Sequence, residues 1–223
     1  MDALIAVDTD VLFMQPPEDL WDEFGNFERR QISGIAPCLS RYGRNFTAFP
    51  AYGFSGLNTG VVLMNLTRMR SFGNGWVPSI TDSFMKYRKN FSLSDQDILT
   101  NFFSEDNSKY LYELGCEWNY RATLCQSDWN KCAAAASRGV ALLHGCDGTF
   151  RVNKEPTIRA IFQAWQRYRI GSPVKELVSL LEEALSTPFT RGCVRLSNIK
   201  DIFLKGFKRR LASQQSLTAG EKS

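Results

Sequence analysis

Asp8-Thr9-Asp10 sets two carboxylates two residues apart behind the short apolar run Ala3–Val7. In an extended segment, residues i and i+2 point to one side, so both carboxylates can address the same point in space. Carboxylates at the end of a strand suit a hard divalent cation, and ligands of open α/β sheets gather beyond the carboxyl ends of strands. D-x-D is also a common sequence, and solvated acids in a strand-end turn look the same. His144 changes the balance. It is the single histidine among 223 residues, and it closes a second apolar run within His144-Gly145-Cys146-Asp147-Gly148. A neutral imidazole with two carboxylates suits manganese, and the glycines leave room for a ligand to approach the backbone. The competing reading of a lone histidine is a hydrogen-bonded structural residue.

Two further segments carry polar groups in useful places. Asn58-Thr59-Gly60 precedes a long apolar run, so its carboxamide and hydroxyl can bind sugar hydroxyls or can simply form a turn before a strand. Asp95-Gln96-Asp97 opens an apolar helical pattern. Acids there complement the helix dipole as caps, or Asp95 and Gln96 face a ligand from the helix N-terminus.

These groups need elements to hold them. Residues 3–7 read as a buried strand running into a polar turn, followed by Val11-Leu12-Phe13. Pro16-Pro17-Glu18-Asp19 reads as the start of a helix. A strand is expected at 31–36, loop over 38–57, and a central strand at Gly60-Val61-Val62-Leu63-Met64-Asn65, whose continuous apolar run implies burial on both faces. Helical patterns follow at 76–89 and 95–103, then strands at 109–114 and at Val140–Leu143. From about 155 onward the pattern is helical: 155–169, 173–185 and 197–211. The expected class is mixed α/β with helices collected toward the C-terminus, organised as a domain over 1–185 and a basic helical tail over 186–223.

Composition fits an ordinary globular chain. The net charge of +4 is concentrated in the tail, where Lys200, Lys205, Lys208, Arg209 and Arg210 form a solvated helix face or a surface for an acidic partner or membrane. The six cysteines contain no C-x-x-C pair, which argues against a common zinc site. Cys116, Cys125 and Cys132 fall close to Trp118 and Trp129 and imply a stapled loop of undefined pairing. Sequons occur at Asn45, Asn65 and Asn90, the second directly after the central strand. Together these features tilt toward a secretory lumen. Yet residues 1–7 form no signal peptide and no run is long enough to span a membrane, so the expectation is a cytosolic chain or one that has lost its N-terminus.

Taken in order, the blocks Val7–Phe13, Asn58-Thr59-Gly60 through Arg70, Asp95-Gln96-Asp97, Cys116-Glu117-Trp118-Asn119-Tyr120-Arg121 and Leu143-His144-Gly145 resemble glycosyltransferase family 8, most closely the glucoside xylosyltransferases. The resemblance covers about residues 3–185. It implies a nucleotide-diphospho-sugar transferase (GT-A-like) fold in which Asp8, Asp10 and His144 bind manganese, Mn2+, between the phosphates of UDP-xylose. Asn58, Thr59, Gly60, Gly145 and Lys154 are the implied substrate contacts, and Asp95 and Gln96 the implied catalytic pair. The implied reaction is retaining transfer of α-1,3-linked xylose to O-linked glucose on EGF-like repeats of a glycoprotein, in the Golgi or ER lumen by a membrane-anchored full-length enzyme. No nucleic acid is expected.

Three departures qualify that expectation. A lysine usual after the histidine-glycine turn is replaced by Cys146-Asp147-Gly148-Thr149-Phe150, leaving Arg151 or Lys154 to meet pyrophosphate. Ser94 stands where glycine is usual. The sequence begins seven residues before Asp8, so most of the N-terminal nucleotide-binding half is expected to be missing. The alternatives are a non-catalytic truncated fragment, or a family 8 transferase using UDP-glucose or UDP-galactose.

Overall fold

The computed structural model describes residues 1–39, 49–92, 94–125, 130–187, 192–195 and 199–220. The Asn45 sequon and Trp129 lie outside them. The chain divides into two compact units, residues 1–9 with 17–119 and residues 10–16 with 120–223.

The first unit is built on a four-stranded sheet in the order β1-β4-β3-β5, formed by β1 (Ala3–Val7), β3 (Ser33–Pro37), β4 (Leu57–Asn65) and β5 (Leu111–Glu113). β4 is antiparallel to both β1 and β3, and β3 is parallel to β5. Val61 and Leu63 are fully buried and Val62 nearly so, as expected for a strand paired on both sides. β1 departs from the expected burial. It lies at the end of the sheet, and Val7 is 41% exposed, because a terminal strand has a neighbour on one side only.

Ile32, Ile35, Leu57, Val62, Met69, Phe102, Phe103 and Leu111 form the core of this unit. Helices α1 (Pro17–Asp22), α2 (Leu66–Arg70), α3 (Trp76–Tyr87) and α4 (Ser94–Phe102) complete it. α2 starts on Asn65, whose side-chain oxygen accepts from the Arg68 N–H at 3.0 Å, so this sequon asparagine serves as a helix cap. Against its apolar reading, α4 buries a polar face of Gln96, Asp97, Thr100 and Asn101. Those groups are matched. Thr100 Oγ1 accepts from the Leu57 N–H at 3.0 Å, Asn101 Nδ2 donates to the Pro50 carbonyl at 2.8 Å, and Asp97 Oδ2 accepts from the Ser92 N–H at 2.7 Å. The helix is thereby keyed to β4 and the flanking loops by hydrogen bonds, which tolerate burial only when satisfied.

In the second unit β2 (Val11–Phe13) pairs antiparallel with β6 (Leu142–His144), and Tyr120 bridges to Leu143. Helices α5 (Ala133–Arg138), α6 (Pro156–Arg167), α7 (Val174–Ser186) and α8 (Ile199–Gly220) follow. α6 packs on α7, and α8 packs on α7 and α5. Ile158, Ile161, Leu181, Ile202 and Phe203 are buried among them. Cys125 is disulfide-bonded to Cys193, a pairing that reaches well beyond the loop suspected from sequence.

Three basic residues of α8 have specific partners. Lys205 Nζ donates to the Ala136 carbonyl at 2.7 Å, Arg209 donates to the Arg138 carbonyl, and Lys208 meets Glu182 at 3.6 Å. Cations at the C-terminal carbonyls of α5 complement the negative end of that helix. Among the described residues, no helix is long and apolar enough to cross a membrane.

Candidate functional site

Six of the site residues expected from the sequence, Asp8, Asn58, Thr59, Gly60, Asp95 and Gln96, fall in the first unit. The β1–β4 ladder continues one residue past Val7, through the Asp8 N–H donating to the Gly60 carbonyl at 3.0 Å. Asp8 is therefore held opposite Gly60 at the end of the ladder. β4 is irregular at this point: Ile35 pairs with Val62, but Ala36 pairs with Asn58. The extra residues Thr59, Gly60 and Val61 drop out of the β3 register, a distortion that re-aims side chains at sheet ends. Gly60 turns its N–H onto its neighbour's Asn58 Oδ1 at 3.2 Å.

Asn58 is 7% exposed and joins a buried chain of carboxamides. Its Nδ2 donates to Gln96 Oε1 at 3.0 Å, while Asn119 Nδ2 donates to Asn58 Oδ1 at 2.7 Å and to the Asn58 carbonyl at 3.0 Å. Asp95, one residue before Gln96, is exposed. Asp8, Thr59 and Asp95 share a cavity of about 490 Å³ whose other walls are largely apolar, with Trp76, Ile80, Phe84 and Leu99 among them. The backbone ahead of Asp95 shows what the serine noted in the sequence must tolerate. Ser94 has φ 42°, in the left-handed region where glycine is at ease and other residues are strained.

Asp10, His144, Gly145 and Lys154 belong to the second unit. The β2–β6 register sets Val11 opposite His144, and the Gly145 N–H donates to the Asp10 carbonyl at 2.7 Å. The backbone so arranged carries His144 Nε2 to 3.5 Å from Asp10 Oδ1, with the imidazole side chain 4% exposed and the carboxylate 38%. An imidazole nitrogen beside a half-open carboxylate is a donor pair of the kind that manganese accepts.

The two glycines of the turn differ in their work. A Cβ on Gly145 would lie 2.4 Å from the Phe150 ring, so the space beside it is occupied by an aromatic side chain. Gly148 has φ 72° and continues the left-handed stretch that Asp147 begins at φ 58°. Lys154 folds back over this turn, donating from Nζ to the Asp147 carbonyl at 3.3 Å.

Sequence reasoning missed the role of Asn119, although the block containing it stood out, and offered Asp97 only as an acid complementing the helix dipole. Asp97 is completely buried and ties the preceding loop to α4. A buried carboxamide leaves no periodic trace in a sequence, because its meaning depends on partners dozens of residues away.

No family model matches the chain. Glucoside xylosyltransferase 1 of Danio rerio is 37% identical over 226 residues, covering 95% of this chain and 55% of that protein. The Gallus gallus enzyme of the same name is 35% identical, covering 94% of this chain and 50% of its own length. By sequence the chain belongs with the glucoside xylosyltransferases of glycosyltransferase family 8. It spans about half the length of the curated relatives it matches. Among solved structures, galactosyltransferase LgtC in complex with donor and acceptor sugar analogues aligns with a TM-score of 0.50 at 20% identity, covering 84% of this chain and 63% of that one. That likeness is one of fold alone, mixed α/β of the GT-A type.

Proposed function

We propose that this chain supplies the metal-binding and sugar-facing part of a retaining xylosyltransferase that moves xylose from UDP-xylose onto a glucoside. The observation that carries the reading is the buried His144 imidazole held 3.5 Å from the Asp10 carboxylate, in a chain of glucoside xylosyltransferase sequence. Asp10 and His144 would hold manganese, with Asp8 added from its place two residues upstream in the D-x-D pattern. The cation, when bound, offsets the charge that builds on the departing diphosphate.

The remaining roles fall to the chain's own side chains. Lys154, already turned toward the loop after His144, offers its ammonium to pyrophosphate. Asp95 stabilises the oxocarbenium-like sugar by its charge. Asn58, Thr59 and Gln96 offer hydrogen-bonding groups to sugar hydroxyls. The acceptor in this reading is O-linked glucose on EGF-like repeats, met in the lumen of the ER or Golgi.

The test is turnover of UDP-xylose by the full-length protein with and without manganese. Asp10→Asn and His144→Gln are each expected to lower kcat/KM by about a hundredfold, because each trades a carboxylate or an imidazole for a weaker, neutral carboxamide oxygen in a side chain of similar size. Undiminished turnover in either variant would sink the metal assignment. A donor panel in which UDP-glucose outperforms UDP-xylose would overturn the sugar assignment.

A further inference from the structure

The buried carboxamides of the first unit have a direction, and backbone groups at one end fix it. Asn119, which ends the 3-10 turn Cys116–Asn119, donates from Nδ2 to the Asn58 carbonyl at 3.0 Å. A backbone carbonyl can only accept, so the nitrogen of Asn119 faces Asn58. The Gly60 N–H, which can only donate, meets Asn58 Oδ1 at 3.2 Å. That contact, with the Asn119 donation to Oδ1 at 2.7 Å, holds the Asn58 oxygen on one side and turns its nitrogen to the other. The nitrogen then donates to Gln96 Oε1 at 3.0 Å. Gln96 thus has its carbonyl committed inward and its N–H2 at the outer end of the chain. All three residues are under 10% exposed, so a reversed amide would bury mismatched groups.

We infer that Asn119 is a positioning residue that orients Gln96, through Asn58, to offer N–H2 rather than its carbonyl oxygen to the donor sugar. The inference rests on the reading of Gln96 as a sugar contact. Its chemical consequence is a division of labour on α4. Gln96 acts as a hydrogen-bond donor to a hydroxyl or ring oxygen, and the anionic role belongs to the adjacent Asp95 alone. A glutamine carbonyl held by Asn58 does not serve as a nucleophile.

The decisive variant is Asn119→Asp, which keeps the shape and replaces the donor with an acceptor facing two oxygens. In the full-length protein it is expected to raise the KM for UDP-xylose about tenfold, while inhibition by UDP alone stays within about twofold. A residue of merely structural importance would weaken both alike. A measurement on the wild-type chain needs no variant: the Asn119 side-chain N–H2 exchanges slowly with solvent, and the Gln96 N–H2 resonance moves on addition of UDP-xylose but not of UDP. Unchanged KM in Asn119→Asp, or an Asn119 amide exchanging as fast as an exposed one, would overturn the inference. Wild-type protein with no turnover and no sugar-specific shift of Gln96 would instead overturn the functional reading beneath it.

Discussion

Replacing Gly145 with alanine tests whether the turn after His144 is set by packing. A Cβ at this position would lie 2.4, 2.6 and 2.7 Å from three atoms of the Phe150 ring. Comfortable carbon contacts begin near ~3.5 Å, so the ring must retreat by about an ångström. It has little freedom to do so, being 5% exposed and stacked on Phe162 at 4.8 Å with 9° between planes. The backbone raises no objection, since φ −83° and ψ 24° at Gly145 are open to alanine. Overpacking of this kind costs about 1–3 kcal/mol, against about 0.4–1 kcal/mol regained from a less flexible unfolded chain. The expected net loss is about 1–2 kcal/mol, read as a lower denaturation midpoint with an unchanged slope. In a Phe150→Ala background the same substitution should be neutral or slightly stabilising. A neutral Gly145→Ala in the wild-type background, or an equal penalty in both, would refute the packing argument.

Two further outcomes can be checked by stability and titration. Ser94→Gly removes a side chain from a backbone at φ 42° and is expected to raise stability by about 0.5–1 kcal/mol; a lower melting temperature would contradict the strain. Burial, helped by the hydrogen bond from Tyr112 to Glu23 Oε2 at 2.6 Å, pushes the Tyr112 phenol up from 10.0 to about 12. A raised folded pKa favours the neutral form, so its contribution to stability is complete below pH 10 and is lost as pH rises toward about 12. Tyr112→Phe should flatten the alkaline limb of the stability profile in that window, and an unaltered limb would assign the loss to other groups.

Much of this protein is written in its residue order. The apolar run around Val61–Leu63 announces a strand buried between two neighbours, and Asp8, Asp10 and His144 stand out because carboxylates and a lone histidine close apolar runs. Helical periodicity marks α3, α6 and α7 within a residue or two of their ends, because a 3.6-residue apolar repeat is a local property of the chain. The family is legible for the same reason, since its blocks are contiguous.

Other features exist only in three dimensions. β1 is half exposed because it ends the sheet, which its five apolar residues do not reveal. α4 turns carboxamides and a carboxylate inward because the loop just before it, through Ser92, and the distant Leu57 and Pro50 satisfy them. Gly145 is held to glycine by a ring five residues on, and Asn119 acquires its role from Asn58, sixty-one positions away. Sequence determined which groups could bind a cation and a sugar. Tertiary structure decided which way those groups face, because a hydrogen bond or a contact is fixed by both of its partners and local sequence contains only one.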